Sequence, residues 1–224
     1  MSKKHTKCSG VSKRVIKPFT VHADALSASK NGIGILGGIF DPLHHGHLAV
    51  AALARDYFTL PQILFVPSGR PPHKSTIGAS AADRLAMLKL AVRHEPSFTI
   101  GDEELKSQNV SYTFDTLTTL RKTFPGRPFY FIVGSDNLHE IETWHCYREV
   151  LKMVTLCVAH RPGYSLKPPP SLASARICPF PSPKWGISST LIRSYLAKGY
   201  SCSHLIPECV AEYIRKKNLY GVIR

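Results

Sequence analysis

Gly32-Ile-Gly-Ile-Leu-Gly-Gly-Ile-Phe-Asp-Pro-Leu-His-His-Gly-His47 changes character within sixteen residues. Its first half is an apolar run closed by glycine, the pattern of a buried strand that empties into a tight loop. Asp41-Pro42 turns the chain. The residues from Gly46 to Phe58 then read as a helix. Gly37 and Gly38 allow a ligand close to the backbone. His44 and His47 stand three apart and share a face of the first helical turn, with Gly46 clearing the space between them. Two imidazoles beside bare amides at a helix N-terminus suit a polyphosphate. Such a pair also occurs on plain surfaces and at zinc sites, although no Cys, Asp or Glu is spaced here to complete a metal site.

Strands and helices alternate outward from this stretch. Ile63–Val66, Phe98–Ile100, Phe129–Val133 and Val154–Ala159 read as buried strands. Ser80 and Asp83 form a capping box for a helix whose Leu85, Leu88 and Val92 share a face. Helices are expected over residues 112–123, 143–151 and 188–198, the last closed by Gly199. Pro207 is expected at the first position of a final helix. Residues 161–184 hold seven prolines and read as loop, with a short strand near Ile177. This order predicts an α/β fold: a Rossmann-like doubly wound parallel sheet with helices on both faces. Ligands of such sheets bind beyond the carboxyl ends of the strands, which here means the loops after Ile39, Val66, Val133 and Ala159.

The chain has 224 residues, 43% of them hydrophobic and 20% charged. That composition excludes wholesale disorder and allows a core without disulfides. Residues 1–30 carry seven Lys and Arg against one Asp and show no clear period, so they read as a flexible basic extension before a single domain over 31–224. The net charge of +14 favours anionic partners, whether nucleic acid, acidic lipid or phosphorylated metabolites. The basic residues are dispersed, and no RNA-binding signature accompanies them. No apolar run approaches the roughly 20 residues that span a bilayer. Six cysteines without a C-x-x-C spacing read as reduced thiols of a cytoplasmic protein.

A second motif, Ile187-Ser-Ser-Thr-Leu-Ile-Arg193, offers another anion site. Ser188 is placed to cap a helix, and Ser189 and Arg193 lie four apart on one face of it. Read alone, it is an ordinary cap with a surface arginine. Read with the first motif, it brings hydroxyls, amides and a guanidinium toward one point.

The pair G-G-x-F-D-P-x-H-x-G-H and I-S-S-T-x-I-R resembles the nucleotidyltransferase superfamily, and within it the bacterial nicotinate-nucleotide adenylyltransferases. Pro71-Pro-His-Lys74, Ser111-Tyr-Thr113, Gly134-Ser-Asp-Asn-Leu138, Trp144, Arg161-Pro-Gly163 and Leu205-Ile-Pro207 follow in family order. The resemblance implies transfer of AMP from ATP to nicotinate mononucleotide, giving deamido-NAD and pyrophosphate, with Mg²⁺ riding on ATP. The alternative acceptors are nicotinamide mononucleotide and phosphopantetheine. It assigns His44, His47 and Arg193 to catalysis. It assigns Gly37, Gly38, Phe40, Gly46, Gly134, Asp136, Arg161, Ser188 and Ser189 to ATP. Lys74, Thr113 and Trp144 fall to the mononucleotide. The chain departs from the family at Ile39, where Thr is usual, and at His145 and His160, where Tyr and Arg are common. A catalytically dead relative and a nucleic-acid-binding module are the rival readings.

Overall fold

The computed structural model describes residues 30–70, 78–107, 110–183 and 185–221. The basic extension, apart from Lys30, and the stretch Pro71-Pro-His-Lys74 therefore lie outside the described residues. The elements run β1 (Ile33–Gly38), α1 (His45–Tyr57), β2 (Gln62–Pro67), α2 (Ala81–Val92), β3 (Phe98–Ile100), α3 (Glu103–Lys106), α4 (Thr113–Thr123), β4 (Phe129–Gly134), α5 (Ser135–Glu140), α6 (Tyr147–Met153), β5 (Val154–Ala159), β6 (Ile177–Phe180), α7 (Ser189–Ala197) and α8 (Glu208–Lys217).

All six strands are parallel, in the order β3-β2-β1-β4-β5-β6. The order reverses between β1 and β4, so a crevice opens beyond their carboxyl ends. Alternation along the strands divides the core. Leu36, Ile63, Phe65, Ile132 and Cys157 pack beneath α1 with Ala51, Ala54 and Phe58. Ile33, Ile35, Leu64, Phe131 and Leu156 face the other way, against Leu117, Leu120 and Val150 of α4 and α6. A third cluster joins Met87 of α2 to Ile192 and Leu196 of α7 and to Val210 and Ile214 of α8. At the sheet edge Cys157 lies beside Cys178 across the β5–β6 pair, and the five described cysteines are all free.

Four details differ from the sequence expectation. The helix expected at 143–151 is split. Ile141–Thr143 form a 3₁₀ turn, Cys146 takes a left-handed φ of 52°, and helix resumes only at Tyr147. Trp144, left between them, packs edge-to-face on Phe131 at 6.0 Å. In α2, Leu85 is only half-buried, while Arg84 and Met87 join Leu88 and Val92 inside. Pro207 caps α8 rather than opening it. Two short helices, α3 and α5, follow strands and are too short to establish a helical period in sequence.

Candidate active site

A cavity of about 900 Å³ lies along the carboxyl edge of β1 and β4, where the fold predicts it. Gly37, Gly38, Phe40, His44, Gly46 and His47 line it, together with Ser188, Ser189 and Arg193. Thr113 and Trp144 line it as well. Gly134, Asp136 and Arg161 line the β4–β5 side. Every predicted site residue except Lys74, which is outside the described residues, meets in this one cavity.

His44 is the N-cap of α1 and is 3% exposed. Its ring stacks on that of His47, with centroids 3.6 Å apart. The backbone N–H of His44 donates to His47 Nδ1 at 3.3 Å. A neutral imidazole that accepts at Nδ1 carries its proton on Nε2, so His47 keeps one N–H to offer. Gly46 permits the stack, because a Cβ there would sit 3.0 Å from His44 Nδ1. Burial, then the charges of Arg161 and His45, pull the His44 imidazole from 6.5 down to about 4. His47 is lowered well below its ordinary value by burial, then by His44 and Arg161. Both rings are thus neutral donors at pH 7 until an anion arrives to favour the charged form.

The second motif is locked onto the first. Ser188 Oγ accepts the N–H of Leu191 at 3.2 Å, capping α7. Ser189 donates its hydroxyl to the Pro42 carbonyl at 2.9 Å. Arg193 Nη1 donates to the Asp41 carbonyl at 2.7 Å and lies 3.5 Å from the Asp41 carboxylate. On the other side, Asp136 faces Arg161 at 3.4 Å. Gly134 is fitted between them, since a Cβ would fall 2.2 Å from Asp136 Oδ1.

Also on the cavity wall, Tyr112 caps α4 without any side-chain hydrogen bond. Its carbonyl takes the amides of Asp115 and Thr116, so the amides of Thr113 and Phe114 head the helix at the cavity wall, a setting that favours a carboxylate. Trp144 presents a ring nearby, with Tyr112 and His145 packed at 4.7 Å.

Sequence reading misses four residues that build this site. Asp41, read only as a turn former, is 3% exposed and accepts the N–H groups of Gly78 and Ala79 at 2.7 and 3.0 Å. A carboxylate between the apolar Phe40 and Leu43 is the signal that could have marked it. Arg84 is 1% exposed, and its Nη1 donates to the carbonyls of Ile39 and Ser68 at 2.8 Å each. Glu104, whose carboxyl is pushed up by burial, takes a hydroxyl from Thr116 at 2.5 Å and the N–H of Gly69 at 3.4 Å. Tyr220 reaches Asp41 from the other end of the chain. For Arg84, Glu104 and Tyr220 the partners are far away in sequence and leave no local signal. Among the described residues no group of three His, Cys, Asp or Glu is arranged to hold a metal ion. No described helix is long and apolar enough to cross a membrane.

Comparison with known proteins bears on this cavity. The profile described as cytidylyltransferase-like matches residues 35–195, from the first motif to the second. A protein of Oceanobacillus iheyensis named a probable nicotinate-nucleotide adenylyltransferase is 40% identical over 189 residues, covering 84% of this chain and 96% of the relative. A protein of Desulfitobacterium hafniense with the same name is 40% identical over 209 residues, covering 88% of this chain and 99% of its own. Among solved structures, the Plasmodium falciparum nicotinic acid mononucleotide adenylyltransferase complexed with NaAD superposes with a TM-score of 0.71 at 22% identity, over 86% of this chain and 98% of that one. At that identity the likeness establishes the shared fold.

Proposed function

The chain belongs to the cytidylyltransferase-like family and, within it, to the nicotinate-nucleotide adenylyltransferases, and we propose that it carries out their reaction at the cavity between its two motifs. AMP passes from ATP to nicotinate mononucleotide, and deamido-NAD and pyrophosphate leave. The observation that carries the reading is the meeting of His44 and His47 with Ser189 and Arg193 at the switch between β1 and β4.

The attacking group is a phosphate oxygen already ionised at pH 7, so no general base is required. The work is positioning and charge neutralisation at the α-phosphorus. His47 offers its Nε2–H to the α-phosphate, and His44 fixes that tautomer through its backbone N–H. Gly37, Gly38, Phe40 and Gly46 leave room for the phosphates beside the α1 N-terminus. Ser188, Ser189 and Arg193 hold the outer phosphates, and Arg193 meets charge on the departing pyrophosphate. Asp136 and Arg161 take the nucleoside side of ATP. Trp144 stacks on the pyridine ring, and the open amides at Thr113 receive the nicotinate carboxylate. Lys74 belongs to the same proposed subsite.

The donor set fits a metal that arrives with its substrate. Asp41 is engaged by two amides, a hydroxyl and Arg193, and Asp136 by Arg161. Mg²⁺ brought with the triphosphate would supply neutralisation of phosphate charge there, beside His44, His47 and Arg193. The reading includes a cytoplasmic location, in keeping with the free thiols of the five described cysteines.

Pyrophosphate release with Mg·ATP and nicotinate mononucleotide, nicotinamide mononucleotide or phosphopantetheine tests the reading. Turnover is expected with nicotinate mononucleotide, and His47→Ala should reduce kcat by at least about a hundredfold. Preference for nicotinamide mononucleotide would overturn the acceptor assignment. No release with any acceptor from folded protein would overturn the reaction itself.

A further inference from the structure

Tyr220 lies 179 residues from Asp41 in sequence, yet its hydroxyl donates to Asp41 Oδ1 at 2.8 Å. Its backbone sits in the left-handed region, φ 60° and ψ 21°. A tyrosine holds that conformation only where its surroundings impose it, and such residues concentrate at functional sites. The ring covers Gly78 so closely that a Cβ there would meet Tyr220 Cε1 at 3.0 Å and the Arg193 Cδ at 3.2 Å. Tyr220 and the stem of Arg193 therefore close over the same glycine. Burial, with Asp41 beside it, drives the Tyr220 hydroxyl upward from its ordinary value, so it remains a donor throughout the working range.

The Asp41 carboxylate consequently collects the Tyr220 hydroxyl, the amides of Gly78 and Ala79, and the Arg193 guanidinium 3.5 Å away. We propose that Tyr220 is a positioning residue for the transfer reaction: it fixes the Asp41 carboxylate and the stem of Arg193, and through them the orientation in which Arg193 meets the leaving pyrophosphate. The proposal rests on the reading of Arg193 given above. Without the hydroxyl, Asp41 Oδ1 is held by the Ala79 amide alone, so the carboxylate is free to tilt and carry the Arg193 guanidinium beside its Oδ2 away from the leaving group. The C-terminal segment thereby becomes part of the phosphate apparatus although it touches no substrate.

The test is a double-mutant cycle of Tyr220→Phe with Arg193→Lys, read in kcat and both KM values. Tyr220→Phe keeps the ring over Gly78 and removes only the hydroxyl. In the native background it should lower kcat by about tenfold and leave KM for nicotinate mononucleotide unchanged. In the Arg193→Lys background the same change should cost about twofold or less, because the group it acts through has been replaced. Equal losses in both backgrounds would overturn the proposal, as would full activity of Tyr220→Phe. A drop in Tm leaves that comparison decisive, since a general loosening lowers kcat alike in either background. The unaltered chain assayed alone separates the two readings. Its inactivity with nicotinate mononucleotide would sink both, whereas its activity with an indifferent Tyr220→Phe would sink only this one.

Discussion

Gly134 stands at the end of β4 where no side chain fits. A Cβ there would lie 2.2 Å from Asp136 Oδ1 and 2.7 Å from Arg161 Nε, so Gly134→Ala must push that pair apart. The pair is partly exposed and 3.4 Å apart, and contributes little to stability. Its displacement should instead appear in catalysis. We expect kcat/KM for ATP to fall between about ten- and a hundredfold with Tm nearly unchanged, as initial rates and thermal melts would show. The role of Gly134 is legible in sequence, because a glycine closing an apolar run announces a strand that ends in a tight loop. His44 and His47 are legible for a similar reason: their spacing already puts them on one face. The stacking of their rings is not, and neither is their shared neutrality. The neutrality depends first on burial and then in part on Arg161, more than a hundred residues away in sequence.

Among the elements, α2 does the least expected work. Its capping box is readable, and Ser80 Oγ duly accepts the Asp83 N–H at 3.1 Å. A charged residue on a helix is ordinarily assigned to solvent, however, and Arg84 is turned inward. Its guanidinium ties the loop after β1 to the loop after β2 through the carbonyls of Ile39 and Ser68. Arg84→Met would fill the volume and leave both carbonyls without that donor. The expected cost is about 3 kcal/mol in urea unfolding, with a rise in KM for ATP because the loop carrying the histidines slackens. The four central strands, β1, β2, β4 and β5, are legible because they are apolar and largely buried on both faces. By contrast, α5 starts at the residue after its strand, with Gly134 as cap, and runs only from Ser135 to Glu140. Nothing in so short a segment establishes a helical period, and the same holds for α3.

For the whole molecule, the neutral histidines make stability depend on acidity. Unfolded, His44 titrates near 6.5, whereas folded it titrates near 4. Between those values the unfolded chain binds a proton that the folded chain refuses, so stability rises with pH across the window. Its full value holds above pH 6.5, and acidification toward pH 4 should remove about 3 kcal/mol through His44 alone, with His47 adding in the same direction. Urea midpoints at pH 7 and pH 5 would measure this, and ATP should restore part of the loss at pH 5 by favouring the charged rings. The doubly wound order is legible from alternation alone. Closure of the C-terminal segment over Asp41 is not, since it joins residues 179 apart. The edge of the same sheet also contains a timepiece. Cys157 is fully enclosed with its thiol held protonated by burial, Cys178 beside it is half-covered, and Cys146 stands in the open. An aromatic disulfide reagent should label Cys146 at once and Cys157 only when β6 peels from β5. At high reagent concentration the labelling rate at Cys157, followed at that residue by peptide mapping because Cys178, Cys202 and Cys209 also carry thiols, should cease to depend on reagent and become the opening rate of the strand pair. How often the last strand lets go can thus be counted in the native protein, with no reporter installed.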